Sequence, residues 1–156
     1  MFIEDYTEYN LNKQLKCQIQ TQDSTYMSDR KIFIIDTSVL LYDRSSIHSF
    51  PGNDVIIPLV VLDELDRNKE RQGIIGENAR YVNRYLDGLR STGNLHKGIK
   101  LEKTDQTIKV ELSGFDKVPV GLDPEHPDNR IISLAIQYNQ TSSQPVVMVT
   151  KDINFR

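Results

Sequence analysis

Four acidic residues stand where an alternating strand and helix sequence most often places its chemistry. Asp36 follows the apolar run Lys31-Ile32-Phe33-Ile34-Ile35, and Asp152 follows the run Pro145 to Val149 after Thr150-Lys151. Asp128 opens a helical stretch, and Glu64 lies in the helical stretch that follows Asp54-Val55-Ile56-Ile57. In an open α/β sheet, ligands bind beyond the carboxyl ends of the strands, where strand order reverses. Four carboxylates meeting there would repel one another and raise their pKa values unless cations lay between them. Mg²⁺ or Mn²⁺, hard ions that prefer oxygen ligands, meet that requirement. Such ions activate water and stabilise the leaving oxygen in phosphodiester cleavage, so convergence of the four acids implies a metal-dependent nuclease.

Each acid taken alone also has a structural reading. An Asp after a strand is a common turn former, and an Asp at a helix start is a common cap. Glu64 is separated from Asp63 and Asp66 by helical phase: Val61 and Leu65 mark the buried face, and Glu64 lies three residues after Val61. It is therefore expected at the edge of the core, whereas Asp63 and Asp66 are displaced round the helix towards water. Asp128 precedes Ile131 and Ile132 by three and four residues, which places it on the sheet-facing side of its helix.

The elements that must position these acids follow from periodicity. Residues 31–35 form a continuous run of β-formers, as expected of a strand buried on both faces of a parallel sheet. A second strand, Asp54 to Ile57, stops at Pro58, and a helix follows from Leu59 to Lys69. Ile75, Ala79, Val82, Leu86 and Leu89 recur at spacings of four and three and predict a helix over 75–90. Ile99 to Glu102 and Thr107 to Leu112 alternate about a turn, and a helix over 128–138 precedes a last strand at 145–149. Strands alternating with helices make an α/β domain with a mainly parallel sheet and helices on both faces. Residues 1–30, rich in Gln, Asn, Thr, Asp and Tyr, lack apolar periodicity and are expected to be a flexible polar tail, with the folded domain over 31–156.

Composition narrows the function. The 156 residues suit one domain, and nineteen Lys and Arg against twenty-two Asp and Glu give a net charge of −3, so the chain is no polycation that coats nucleic acid or membrane. The single cysteine, Cys17, excludes an internal disulfide framework and a cysteine zinc cluster. The acidic start Met1-Phe2-Ile3-Glu4-Asp5-Tyr6 is not a secretory signal, and the longest apolar run, Val55 to Leu62, is broken by Pro58. A cytoplasmic protein without a membrane span is expected.

The strings Ile34-Ile35-Asp36-Thr37-Ser38-Val39-Leu40, Pro58-Leu59-Val60-Val61-Leu62-Asp63-Glu64-Leu65-Asp66, Asp128-Asn129-Arg130-Ile131-Ile132 and Val149-Thr150-Lys151-Asp152 together resemble the ordered acidic motifs of a PIN domain. Within that family the strings Asp36 to Asp43 and Pro58 to Lys69, with the strand Thr107 to Leu112 and Asp152-Ile153-Asn154-Phe155-Arg156, most resemble the N-terminal PIN module of PhoH-like ATPases. The resemblance implies a PIN-like, Rossmann-like fold and an endoribonuclease that cuts single-stranded RNA with Mg²⁺ or Mn²⁺. It assigns Asp36, Glu64, Asp128 and Asp152 to catalysis and metal binding, with Ser38 as a polar support. A complete PIN domain has a further short helix and strand after Arg156, so the sheet is expected either to lack its last strand or to be completed differently. An unpaired edge invites dimerisation, and the family implies an ATPase partner. The contrasting expectation is a catalytically silent PIN-like module that binds RNA or protein.

Arg67 and Arg71, with Arg80 and Arg84, form two four-residue spacings that could line an electropositive track for RNA phosphates, although Glu70, Glu77 and Asp87 interleave with them. Other signals fail on chemistry. Gly93 to Gly98 starts like a P-loop, but Ile99 stands at the lysine position. Asp66, Asn68, Glu70 and Glu77 imitate a calcium loop, but Arg71 occupies the turn position that requires Gly. Ser38 stands where a haloacid-dehalogenase-type phosphatase needs its second Asp, and His48, His96 and His126 lack metal-ligand spacing.

Overall fold

The computed structural model describes residues 7–10, 30–113, 118–119 and 121–151, with only the backbone pairing of residues 7–10. In chain order the elements are β1 (Thr7–Asn10), β2 (Ile32–Ile35), α1 (Thr37–Tyr42), a 3-10 turn (Arg44–His48), β3 (Asp54–Pro58), α2 (Leu59–Asn68), α3 (Ile74–Arg90), β4 (Ile99–Leu101), β5 (Gln106–Glu111), α4 (Pro127–Thr141) and β6 (Val146–Thr150). They build a six-stranded sheet in the order β1-β6-β2-β3-β5-β4. The central four strands are parallel, and β1 and β4 are antiparallel edges. This is the PIN-like α/β architecture expected from the sequence.

The apolar runs explain the centre. Ile34 of β2 pairs with Ile56 of β3 and Met148 of β6, and Ile34, Ile35, Val55, Ile57 and Val146 are fully buried. A parallel strand covered on both faces needs apolar residues at successive positions, not alternate ones. Among the described residues no helix is long and apolar enough to cross a membrane.

Three expectations need correction. Residues 1–30 are not wholly a tail: Thr7–Asn10 pairs with β6, Thr7 opposite Thr150 and Asn10 opposite Val147. Arg30 belongs to the domain as well, donating to Asp54 Oδ1 at 2.8 Å and Thr107 Oγ1 at 2.7 Å. An edge strand is held by backbone groups on one neighbour, so a polar sequence can form it without an apolar period. Beside β6 the sheet thus continues into a strand from the other end of the chain. In α3, Ala79, Val82, Leu86 and Leu89 are buried as expected, but Ile75 in the first turn is 37% exposed. The buried place on that turn belongs to Asn78, which donates to the carbonyls of Leu41 at 2.9 Å and Tyr42 at 3.2 Å. It thereby satisfies two of the acceptors that the end of α1 leaves open. Helix α1 itself, six residues long, is too short to show a period.

Candidate active site

Strands β2 and β6 lie side by side, yet the chain enters β6 only after laying β3 and β5 on the other side of β2. Strand order therefore reverses between β2 and β6, and in open α/β sheets ligands bind beyond the carboxyl ends of the strands at such a point. Asp36 stands there as the residue preceding α1, 4% exposed. Its Oδ2 accepts from Thr150 Oγ1 at 2.8 Å and from the Ser38 hydroxyl. Ser38 Oγ accepts in turn from the Lys151 amide at 3.0 Å. Hydroxyls from both flanking elements fix this carboxylate, and among the described residues no lysine or arginine forms an ion pair with it.

Glu64 is half-buried between the buried Val61 and Leu65, while Asp63 and Asp66 are exposed, as helical phase predicts. The Thr37 hydroxyl donates to the Glu64 carboxylate. Burial pushes the Glu64 carboxyl above its ordinary pKa; the Thr37 bond opposes the shift, the Asp36 and Asp128 carboxylates add to it, and Arg67 opposes it weakly. Asp36, Glu64 and Asp128 therefore share one electrostatic neighbourhood. Asp128, in the first turn of α4, also has His126 Nδ1 3.7 Å from its Oδ2. Asp152 lies outside the described residues, one position after Lys151.

The donors gathered here are carboxylate and hydroxyl oxygens, the ligands of a hard divalent cation. A buried Asp held only by hydroxyls, beside a Glu pushed towards its neutral form, is a site that positive charge would stabilise. Among the described residues no group of three acidic, His or Cys side chains closes into a metal cage. The chemistry of the set fits a divalent ion, with Asp152 still to be added.

The four arginines separate. Arg67, Arg71 and Arg84 are exposed, and Arg67 lines a cleft of about 430 Å³ between α2 and α3 together with Asp63, Asp66 and Asn83. Arg80 is turned inward: its Nη1 donates to the Lys69 carbonyl at 2.6 Å and the Arg71 carbonyl at 3.4 Å. The reason is the α2–α3 turn, whose end-of-helix carbonyls need donors. The turn closes so tightly that a Cβ on Gly76 would stand 1.7 Å from the Arg71 carbonyl oxygen. Arg80 therefore holds that turn and is not a member of an open track.

Thr37 and Thr150 were not singled out in the sequence. Their one signal is adjacency, since hydroxyl residues flank the acids in Asp36-Thr37-Ser38 and Thr150-Lys151-Asp152.

Residues 33–156 match the family model of the PIN domain. The chain is similar to the protein PhoH2 of Bacillus subtilis, with 37% identity over 133 residues, 81% of this chain and 30% of that protein. It is 35% identical over 136 residues to the PhoH2 of Thermobispora bispora, 85% of this chain and 30% of the relative. To the PhoH2 of Mycolicibacterium smegmatis it is 31% identical over 129 residues, 81% of this chain and 29% of the relative. It thus spans less than a third of the length of these curated relatives. The chain belongs to the PIN domain family, whose members are usually metal-dependent nucleases.

Proposed function

We propose that the chain is an endoribonuclease that hydrolyses single-stranded RNA with Mg²⁺ or Mn²⁺. The observation that carries this reading is the meeting of the Asp36 and Glu64 carboxylates, each held by hydroxyl donors, at the reversal of strand order, with Asp128 in the same electrostatic neighbourhood. A divalent ion held there would supply a water of lowered pKa and positive charge for phosphodiester hydrolysis. Asp36 and Glu64 would hold it, with Asp128 and, by family resemblance, Asp152 completing the acidic set. Ser38 and Thr150 fix the orientation of Asp36, and Thr37 does the same for Glu64. This reading assigns the exposed Arg67, Arg71 and Arg84 to RNA phosphates, contacts that position a strand without reading its sequence.

A second reading is a silent PIN-like module that binds RNA or protein. Labelled single-stranded RNA incubated with Mn²⁺ and either the parent or Asp36→Asn separates the two. The nuclease reading expects cleavage by the parent and a loss greater than about 100-fold in Asp36→Asn, beyond the roughly 10- to 100-fold typical of residues that only orient a ligand. Equal degradation by both proteins would overturn it, and binding without Mn²⁺-dependent cleavage would favour the silent module.

A further inference from the structure

Tyr42, the last residue of α1, is 60% exposed, and the Lys151 ammonium lies 3.1 Å from the centre of its ring. A single exposed aromatic is ordinary on a protein surface. The placement of this one is not. The Lys151 amide donates to Ser38, and Ser38 donates to Asp36, so ring and ammonium are joined to the network that holds the acidic site. Buried Asn78 clamps the carbonyls at the end of α1 and so sets Tyr42 against α3. One turn along α3, the Arg44 guanidinium lies 5.1 Å from the centre of the Tyr81 ring. A second cation–ring pair thus lies on α3, the helix against which the end of α1 is held.

We infer that Tyr42 is a base-stacking platform for single-stranded RNA, with Lys151 countering the adjacent phosphate and the Arg44–Tyr81 pair continuing the track. The inference rests on the RNA reading above and adds to it the part of the substrate that is held. Every base offers a π-face, so the face of the exposed Tyr42 ring opposite the Lys151 ammonium binds a strand with little regard to sequence. A duplex keeps its bases stacked on one another, and the platform therefore selects single strands. Tyr42 lies six positions after Asp36, about 9 Å along the helix axis, so the stacked base flanks the nucleotide whose phosphate reaches the acids. A ring that served only to tie β6 to α1 would be buried between them, and the Ser38–Lys151 bond already makes that tie.

The test uses the full chain in chelator, so that RNA is bound and not cut, with a short unstructured RNA carrying 2-aminopurine and a duplex of the same length. Tyr42→Ala is expected to weaken single-strand binding about tenfold and leave duplex binding unchanged. Tyr42→Leu should weaken it equally, because it keeps apolar bulk without a ring, whereas Tyr42→Phe should bind as the parent does. The parent should quench 2-aminopurine emission on binding. Unquenched emission with the bound parent, parental affinity in Tyr42→Ala, or an equal loss on duplex would each overturn the platform. Mn²⁺-dependent cleavage by a parent whose affinity survives Tyr42→Ala would sink the platform alone, and ring-dependent binding without any cleavage would sink the nuclease reading alone.

Discussion

The Thr37 hydroxyl bonds to Glu64 across the gap between α1 and α2, while the residues on either side of Thr37 are Asp36 and its support Ser38. Two consecutive residues, Thr37 and Ser38, thus orient two acids that come from different strand–helix units. The arrangement gives each carboxylate a hydroxyl as its hydrogen-bond donor, and a hydroxyl fixes direction without neutralising charge.

Glu64→Gln should therefore stabilise the metal-free protein at neutral pH. Burial first, and then Asp36 and Asp128, hold the Glu64 carboxyl above its ordinary value. A raised acid favours the fold fully below its unfolded pKa and loses that contribution as pH rises through the folded one. In chelator the variant should melt above the parent at about pH 7, with the gap closing towards about pH 4. Mn²⁺ should raise the parent's melting temperature more than the variant's, because an ion bound only by the folded site stabilises by mass action. A gap that does not change with pH would assign Glu64 to packing alone.

Arg80 and Arg84 should respond in opposite ways to removal. Arg80→Ala strips the donor from the Lys69 carbonyl and should cost about 1–3 kcal/mol. Melting temperature should fall by roughly 2–4 °C for each kcal/mol. Arg84→Ala should leave stability unchanged and lower the slope of log affinity for RNA against log salt by about 0.7, the value of one single-strand phosphate contact. An unaltered slope would return Arg84 to ordinary solvated surface.

These contrasts also show what a linear sequence carries. Ile34, Ile35 and Val55 are legible because burial on both faces demands an unbroken apolar run. Glu64 is separable from Asp63 and Asp66 because Val61 and Leu65 set the helical phase. The Thr150–Asp36 bond joins residues 114 positions apart; nearness to Asp152 is the one local mark on Thr150, and only the parallel pairing of β2 and β6 brings it to Asp36. Arg80 misleads for a related reason: its spacing from Arg84 is helical, but its long side chain folds back on a turn whose shape depends on Gly76.

The carboxyl end of β5 should show its own acid sensitivity. Glu111 accepts from Lys109 Nζ at 2.8 Å and from the Tyr138 hydroxyl at 2.6 Å. Burial would raise its pKa, but Lys109, Tyr138 and the Ser113 amide outweigh burial and hold it at about 2, against an ordinary value of 4.5. A depressed carboxylate contributes fully above its unfolded pKa, and that stability is lost as pH falls from 4.5 to about 2. Tyr138→Phe should cost about 1–2 kcal/mol at neutral pH, allowing for water at the sheet edge, and less in acid. Melts at both pH values check this, and an equal loss at each would credit the ring's packing instead of the hydroxyl.

A chain started at Met27 tests the edge that the polar N-terminal sequence conceals. If residues 1–26 were only a tail, their removal would change nothing. Because Thr7–Asn10 pairs along β6, removal instead bares the β6 backbone from Val147 to Thr150. Unpaired strand groups offer a template to a second chain, so the shortened protein should self-associate as its concentration rises. At low concentration it should melt lower, by about 2–4 °C for each kcal/mol of lost pairing. Binding of Mn²⁺ should persist, since Asp36, Glu64 and Asp128 all lie beyond the deletion. Sedimentation at several concentrations and melts with and without Mn²⁺ read these effects separately. A shortened chain that kept the parent's size and melting temperature would show that β1 contributes nothing to the fold, and the reading of residues 1–26 as a tail would stand.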